Sequence, residues 1–101
     1  MKKVIDGKIY NTETAESIGY HSEGGYGDFR AFEETLYRTK KGRFFLAGNG
    51  GPMTKYAKKE SSNTWTGSSD IFVLSEEEAR EWAEKYMKAE TYLRYFPAEE
   101  A

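Results

Sequence analysis

Between Arg38 and Lys59 the chain carries seven basic residues, Arg38, Lys40, Lys41, Arg43, Lys55, Lys58 and Lys59, and no acidic one. Cations at that density beside rings make the composition of a polyanion surface, where lysine and arginine meet phosphate and aromatic faces stack bases. Tyr26, Tyr56 and Trp65 supply rings, and Asn49 supplies an amide. Together with Arg38, Lys40, Lys41, Arg43, Lys58 and Lys59 they form the candidate partner-binding set. A pI of about 5.5 argues against a dedicated nucleic-acid module. The total of −2 conceals a segregation: residues 1–37 hold four basic and seven acidic residues, and residues 60–101 hold four basic and ten acidic. The chain therefore reads as a basic middle between two acidic ends, an asymmetry that bears on association rather than on fold.

Catalytic chemistry finds little to work with. The chain has one histidine, His21, in a glycine-flanked stretch, and no cysteine, so thiolate nucleophiles, thiolate metal sites and disulfides are excluded. Glu33 and Glu34 are neighbours on a strand and point to opposite faces, which spoils them as a carboxylate pair. Asp28 with Glu34 or Asp70 has no spacing that recommends a cation. Neither GxGxxG nor GxxxxGK[ST] occurs, so the glycine-rich run Gly48–Pro52 carries no nucleotide fingerprint. The reading is a binder rather than an enzyme, with no cofactor and no metal.

The elements that must position these residues follow from turn chemistry and periodicity. Asp6-Gly7 between Val4-Ile5 and Ile9-Tyr10 predicts a tight hairpin. Asn11 to Ile18, with cap-type residues in front and Gly19 behind, predicts a short N-terminal helix. Tyr20 to Asp28 reads as loop. Ala31–Thr39 and Arg43–Ala47 read as two arms joined by Lys40-Lys41-Gly42, placing Arg38 opposite Phe44, Tyr37 opposite Phe45 and Leu36 opposite Leu46. Phe32, Leu36, Phe44 and Leu46 then share one face, and Tyr37, Phe45 and Ala47 the other. A five-residue second arm separates the basic turn from the Gly48–Pro52 loop by about 15–17 Å at roughly 3.3 Å per residue. Glu60 to Gly67 reads as a polar loop in which Trp65 is either a lid over the core or an exposed anchor. Asp70–Leu74 is a strand by its β-branched and aromatic content.

Ser75-Glu76-Glu77-Glu78 is a capping box with Leu74 and Ala79 as its hydrophobic staple. The helix it starts is expected to run to about Tyr95, with Ala79, Trp82, Ala83, Tyr86, Ala89, Leu93 and Phe96 as its packing stripe. Glu77, Glu81 and Glu84 define an acidic face. Four i,i+4 pairs, Glu76–Arg80, Glu81–Lys85, Glu84–Lys88 and Glu90–Arg94, are in the favourable order. The expected fold is α+β: an antiparallel sheet of four or five short strands, a long C-terminal helix across one face and a short N-terminal helix beside it. Residues 1–97 form one domain and 98–101 an acidic tail.

Three stretches, Gly7–Ala15, Leu36–Gly42 and Gly48–Pro52 with Tyr56 behind it, resemble small proteins of phages and integrative elements from Gram-positive and gut bacteria. The likeness continues through Leu74–Ala79 and Trp82. Proteins of this type include inhibitors of bacterial defence, among them anti-CRISPR proteins, which occupy a surface of a defence complex. The resemblance implies a non-catalytic inhibitor of a host defence nucleoprotein, most plainly a CRISPR effector, blocking a nucleic-acid or subunit surface. The alternative is a single-stranded nucleic-acid or RNA-binding accessory protein of a mobile element. No apolar run approaches the roughly 20 residues of a membrane span. The expected setting is the bacterial cytoplasm, as a monomer or weak homodimer, with a host protein or ribonucleoprotein as partner and direct nucleic-acid contact open.

Overall fold

A computed structural model describes all 101 residues. Asp6 and Gly7 take positive φ, 51° and 72°, and fold Lys2–Ile5 (β1) back on Lys8–Asn11 (β2) as the Asp-Gly turn requires. Glu16–Glu23 (β3), Phe32–Arg38 (β4) and Phe44–Gly50 (β5) follow. Lys58–Ser61 (β6) and Thr64–Thr66 (β7) pair only with each other, and Ser68–Leu74 (β8) returns to the main sheet. That sheet is antiparallel throughout, in the order β3-β4-β5-β8. The chain closes with two helices, Glu76–Tyr86 (α1) and the single turn Ala89–Tyr92 (α2). None is long and apolar enough to cross a membrane.

The β4–β5 hairpin has the register its sequence predicts, with Arg38 opposite Phe44, Tyr37 opposite Phe45 and Leu36 opposite Leu46. Gly42, at φ 84°, supplies the left-handed residue that closes the turn, and the Thr39 and Arg43 backbones bond across it at 2.8 Å. Both faces of this central pair are covered. On one face Leu36, Phe44 and Leu46 pack with Ile18, Ala79, Trp82, Ala83, Tyr92 and Phe96 under the helices. On the other, Phe45, Ala47 and Ile71 pack against Tyr10, with Ile5, Ala15 and Tyr37 at the margin, so the β1–β2 hairpin forms a third layer. Full burial of each such large apolar side chain is worth about 1.5–3 kcal/mol, which makes these two clusters the main hold on the fold.

Several expected elements differ. The polar loop expected at Glu60–Gly67 is largely the β6–β7 hairpin, and Gly48–Gly50, expected as loop, pair with Phe32–Glu34 and Ser68–Asp70 as the end of β5. The N-terminal helix does not form. Asn11 instead closes a turn, its side-chain oxygen accepting from the Glu13 N–H at 2.9 Å and its carbonyl from the Ala15 N–H at 3.1 Å. The chain then runs on as the edge strand β3, which takes in Tyr20 to Glu23, expected as loop. Gly19 is no helix stop: an added Cβ would lie 2.9 Å from Met87 Sδ and 3.0 Å from the Trp82 ring, so the missing side chain lets α1 and its C-cap pack tightly on β3. The C-terminal helix is also shorter than expected. The capping box forms, Ser75 Oγ accepting from Glu78 N–H and Glu78 from Ser75 N–H. Met87 and Lys88, however, are extended at ψ 151°, which breaks the helix after Tyr86. α2 then restarts in a different phase, which returns Tyr92 and Phe96 to the core but leaves Leu93 57% exposed. Of the four helix pairs, only Glu76–Arg80 closes, at 3.1 Å.

Candidate functional site

The seven cations of the middle segment fall into three groups. Lys40, Lys41 and Arg43 stand exposed at the β4–β5 turn, and the β1–β2 turn brings Lys8 beside them. These four, with Thr14 and Thr39, line a groove of about 390 Å³ between the two hairpin turns. The groove continues around the tip into a second recess of about 560 Å³ bounded by Arg38 and Glu16. Arg38 and Glu16 pair with each other at 3.1 Å, and Glu16 also accepts from the Tyr95 hydroxyl at 3.2 Å. The one carboxylate at the groove is therefore engaged, while Lys8, Lys40, Lys41 and Arg43 join none of the chain's five ion pairs. Lys8 lay outside the basic segment in the sequence; only the fold groups it with the tip.

Lys58, Lys59 and Trp65 form the second group, on the β6–β7 arm, where Lys59 is directly opposite Trp65 and its ammonium lies 5.9 Å from the ring centre. Trp65 is 55% exposed, so it is not a lid over the core. The arm leaves the sheet at the Gly50 end of β5, where Gly67 lies against the Gly50 carbonyl. β5 has seven residues, not five, so the basic turn and the Gly50 end of the strand stand about 20 Å apart at roughly 3.3 Å per step.

Tyr26 is wholly exposed in the β3–β4 connection. Asn49 is on the sheet face away from α1, where it donates to Glu33 at 3.0 Å beside Tyr20, whose hydroxyl donates to the same carboxylate at 2.7 Å. These two hydrogen bonds, Asn49's first, hold the Glu33 carboxyl below the usual range. Glu77, Glu81 and Glu84 are exposed along α1 as expected, with Glu84 accepting from Tyr92 at 3.3 Å.

Tyr56 is the correction. It is 1% exposed and cannot touch a partner; its hydroxyl donates to Glu34 Oε2 at 2.6 Å. Glu34 is itself buried, on the helix face of β4, and draws two more donors. Trp82 Nε1–H reaches Oε1 at 2.8 Å, and the third basic group, Lys55 alone, reaches Oε2 at 2.6 Å. Burial opposes the charged form of Glu34. The bonds from Lys55, Tyr56 and Trp82, with the Lys55 charge, outweigh it and hold the carboxyl below its ordinary value. Burial, reinforced by the bond to that carboxylate, drives the Tyr56 phenol far above its own. Gly48 makes room for the pair: an added Cβ would lie 2.6 Å from the Tyr56 hydroxyl and 2.8 Å from Glu34 Cβ. Sequence pattern missed this cluster because its donors stand 21 to 48 residues from Glu34; the available signal was a glutamate alternating in phase with Phe32 and Leu36 on a core-facing strand.

The chain matches no protein-family model, no curated protein and no solved structure.

Proposed function

We propose that the chain is a non-catalytic inhibitor of a host defence nucleoprotein, most plainly a CRISPR effector, which it disables in the bacterial cytoplasm by covering a nucleic-acid or subunit surface. The observation that carries this reading is the groove between the hairpin turns. Lys8, Lys40, Lys41 and Arg43 face it without a carboxylate partner, on a chain whose net charge is −2. Four unanswered cations on an otherwise acidic protein suit a partner of mixed potential better than a bare strand, which the exposed carboxylates of α1 would repel. A binding rather than catalytic role is supported by Glu34, whose carboxylate already has Lys55, Tyr56 and Trp82 as partners. The kind of partner is proposed from the sequence resemblance read in Gly7–Ala15, Leu36–Gly42 and Gly48–Pro52 alone, since the comparisons supply none.

Affinity capture with the tagged chain from a lysate of a CRISPR-bearing host tests the reading. Effector subunits are expected to co-purify with the wild type and to be lost with Lys40→Glu/Lys41→Glu. Their absence from both eluates overturns it. One observation favours a second reading, a single-stranded nucleic-acid accessory protein: Trp65 and Lys59 present a ring and a cation together on a free arm. Tight binding of bare single-stranded RNA, lost with the same double variant, would put that reading first.

A further inference from the structure

We infer that the groove between the hairpin turns holds a sugar–phosphate backbone by its phosphates and reads no base. The inference rests on the reading of this groove as the partner's surface, and it assigns which component of a nucleoprotein the groove meets. The groove is lined by four cations, Lys8, Lys40, Lys41 and Arg43, and by no carboxylate. The recess beyond it shares Thr14, Thr39, Lys40 and Lys41 with the groove and adds Arg38 and Glu16, which pair with each other. The joint channel therefore sets five cations against one carboxylate. Asp6 and Glu13, beside the lining residues Gly7 and Thr14, are exposed in the flanking turns and line neither recess.

The path and its lining decide the class of anion. Because both recesses include the Lys40-Lys41 turn, the cations flank a course around the tip, which suits a chain of charges over a lone anion. Rings are missing from that course. Tyr10, the one aromatic in its lining, is 4% exposed and packs edge-on against Phe45 at 5.5 Å, so a base finds no face to stack on. Protein–protein interfaces are depleted in lysine and enriched in aromatics, whereas nucleic-acid interfaces are more polar and far more positive. With three lysines among its four partnerless cations and no exposed ring, the channel has the second composition. Thr39 adds a neutral donor: its Oγ accepts from the Arg43 N–H at 3.0 Å, which leaves the hydroxyl proton for a phosphate oxygen.

Titration of the full-length 15N-labelled chain at low salt with three probes tests this: an abasic deoxyribose-phosphate octamer, octauridylate RNA and octaglutamate. The abasic octamer is expected to shift the backbone amides of Lys8 and of Thr39 to Arg43 saturably, in the roughly 10⁻⁴–10⁻⁶ M range of non-specific contacts. Octauridylate should match it within about twofold, and octaglutamate should bind more weakly than either. The logarithm of the association constant should fall with that of the salt concentration at a slope of about −3, four phosphates at about −0.7 each. Lys40→Glu/Lys41→Glu should abolish the shifts, Arg43→Ala should flatten the slope by about 0.7, and Lys58→Ala/Lys59→Ala should change neither. Octauridylate bound about fivefold or more tightly than the abasic octamer, the least that one stacked base adds, overturns the inference. Octaglutamate bound as tightly as the abasic octamer, or no saturable shift at the tip, overturns it too. Missing tip shifts while effector subunits still co-purify sink this inference alone; tip shifts as expected with no effector captured sink the inhibitor reading alone.

Discussion

Glu34 and Lys41 belong to the same β4–β5 hairpin, one on its first strand and one in its turn, and the chain treats their charges in opposite ways. The carboxylate of Glu34 is enclosed and met by three donors from two other parts of the chain, and no buried side-chain polar atom in the molecule is left without a partner. The ammonium of Lys41, with those of Lys8 and Lys40 and the guanidinium of Arg43, is exposed at a groove whose one carboxylate is already held by Arg38. A charge answered inside the chain tells of the fold, and a group of like charges left unanswered tells of something outside it. The sequence presents Lys55 and Lys41 as members of one basic cluster; only the structure separates the structural lysine from the surface one.

The contrast is broken most directly at Glu34. Glu34→Ala leaves the Tyr56 hydroxyl, the Trp82 indole and the Lys55 ammonium without their shared acceptor, and urea unfolding should register a loss of about 3–5 kcal/mol. Lys40→Glu/Lys41→Glu should stay within about 0.5 kcal/mol of wild type in the same experiment. Equal losses for the two variants would erase the distinction. Gly48→Ala comes next, since its new Cβ meets the Glu33 carbonyl, the Tyr56 hydroxyl and Glu34 Cβ; the expected cost is about 1–3 kcal/mol by thermal or urea unfolding.

Proton linkage sharpens the same contrast. The Glu34 carboxyl is held below its unfolded value, so its contribution is fully present above about pH 4.3 and is lost as the pH falls through its lower folded value. Tyr56 is raised, so its contribution is intact below about pH 10 and is lost only as the pH rises beyond that. Urea midpoints between pH 2 and 5 should therefore fall less steeply in Glu34→Gln than in wild type, and they should fall alike in wild type and the Lys40/Lys41 variant. The smallest effect belongs to Arg80→Ala, which opens the exposed Glu76 pair and should cost about 0.3–0.5 kcal/mol in chemical unfolding.

Where local chemistry decides structure, the sequence is legible. The Asp6-Gly7 turn, the Lys40-Lys41-Gly42 turn with its register, the Asp70–Leu74 strand and the Ser75 capping box all follow from residues within a few positions of one another. Edge strand β3 does not, because Ile18 is its one buried residue and a register shift between Ser17 and Gly19 interrupts the alternation. The break after Tyr86 carries neither glycine nor proline. Two extended residues there re-aim Tyr92 and Phe96, a need set by the core beneath. At the candidate site, the basic turn is readable, whereas the exposure of Trp65, left open by its polar surroundings, is decided only by the β6–β7 pairing. Lys8 at the groove and the enclosure of Tyr56 depend on contacts between segments far apart in sequence, which no local pattern encodes.

The central claim is that the partnerless cations at the hairpin turns, and not the enclosed Glu34 cluster, hold the partner. Retention of effector subunits by Lys40→Glu/Lys41→Glu, relative to wild type and at a matched urea midpoint, measures it most directly. The account predicts that the double variant unfolds at the wild-type midpoint and retains none of the partner; full retention at that midpoint would contradict it.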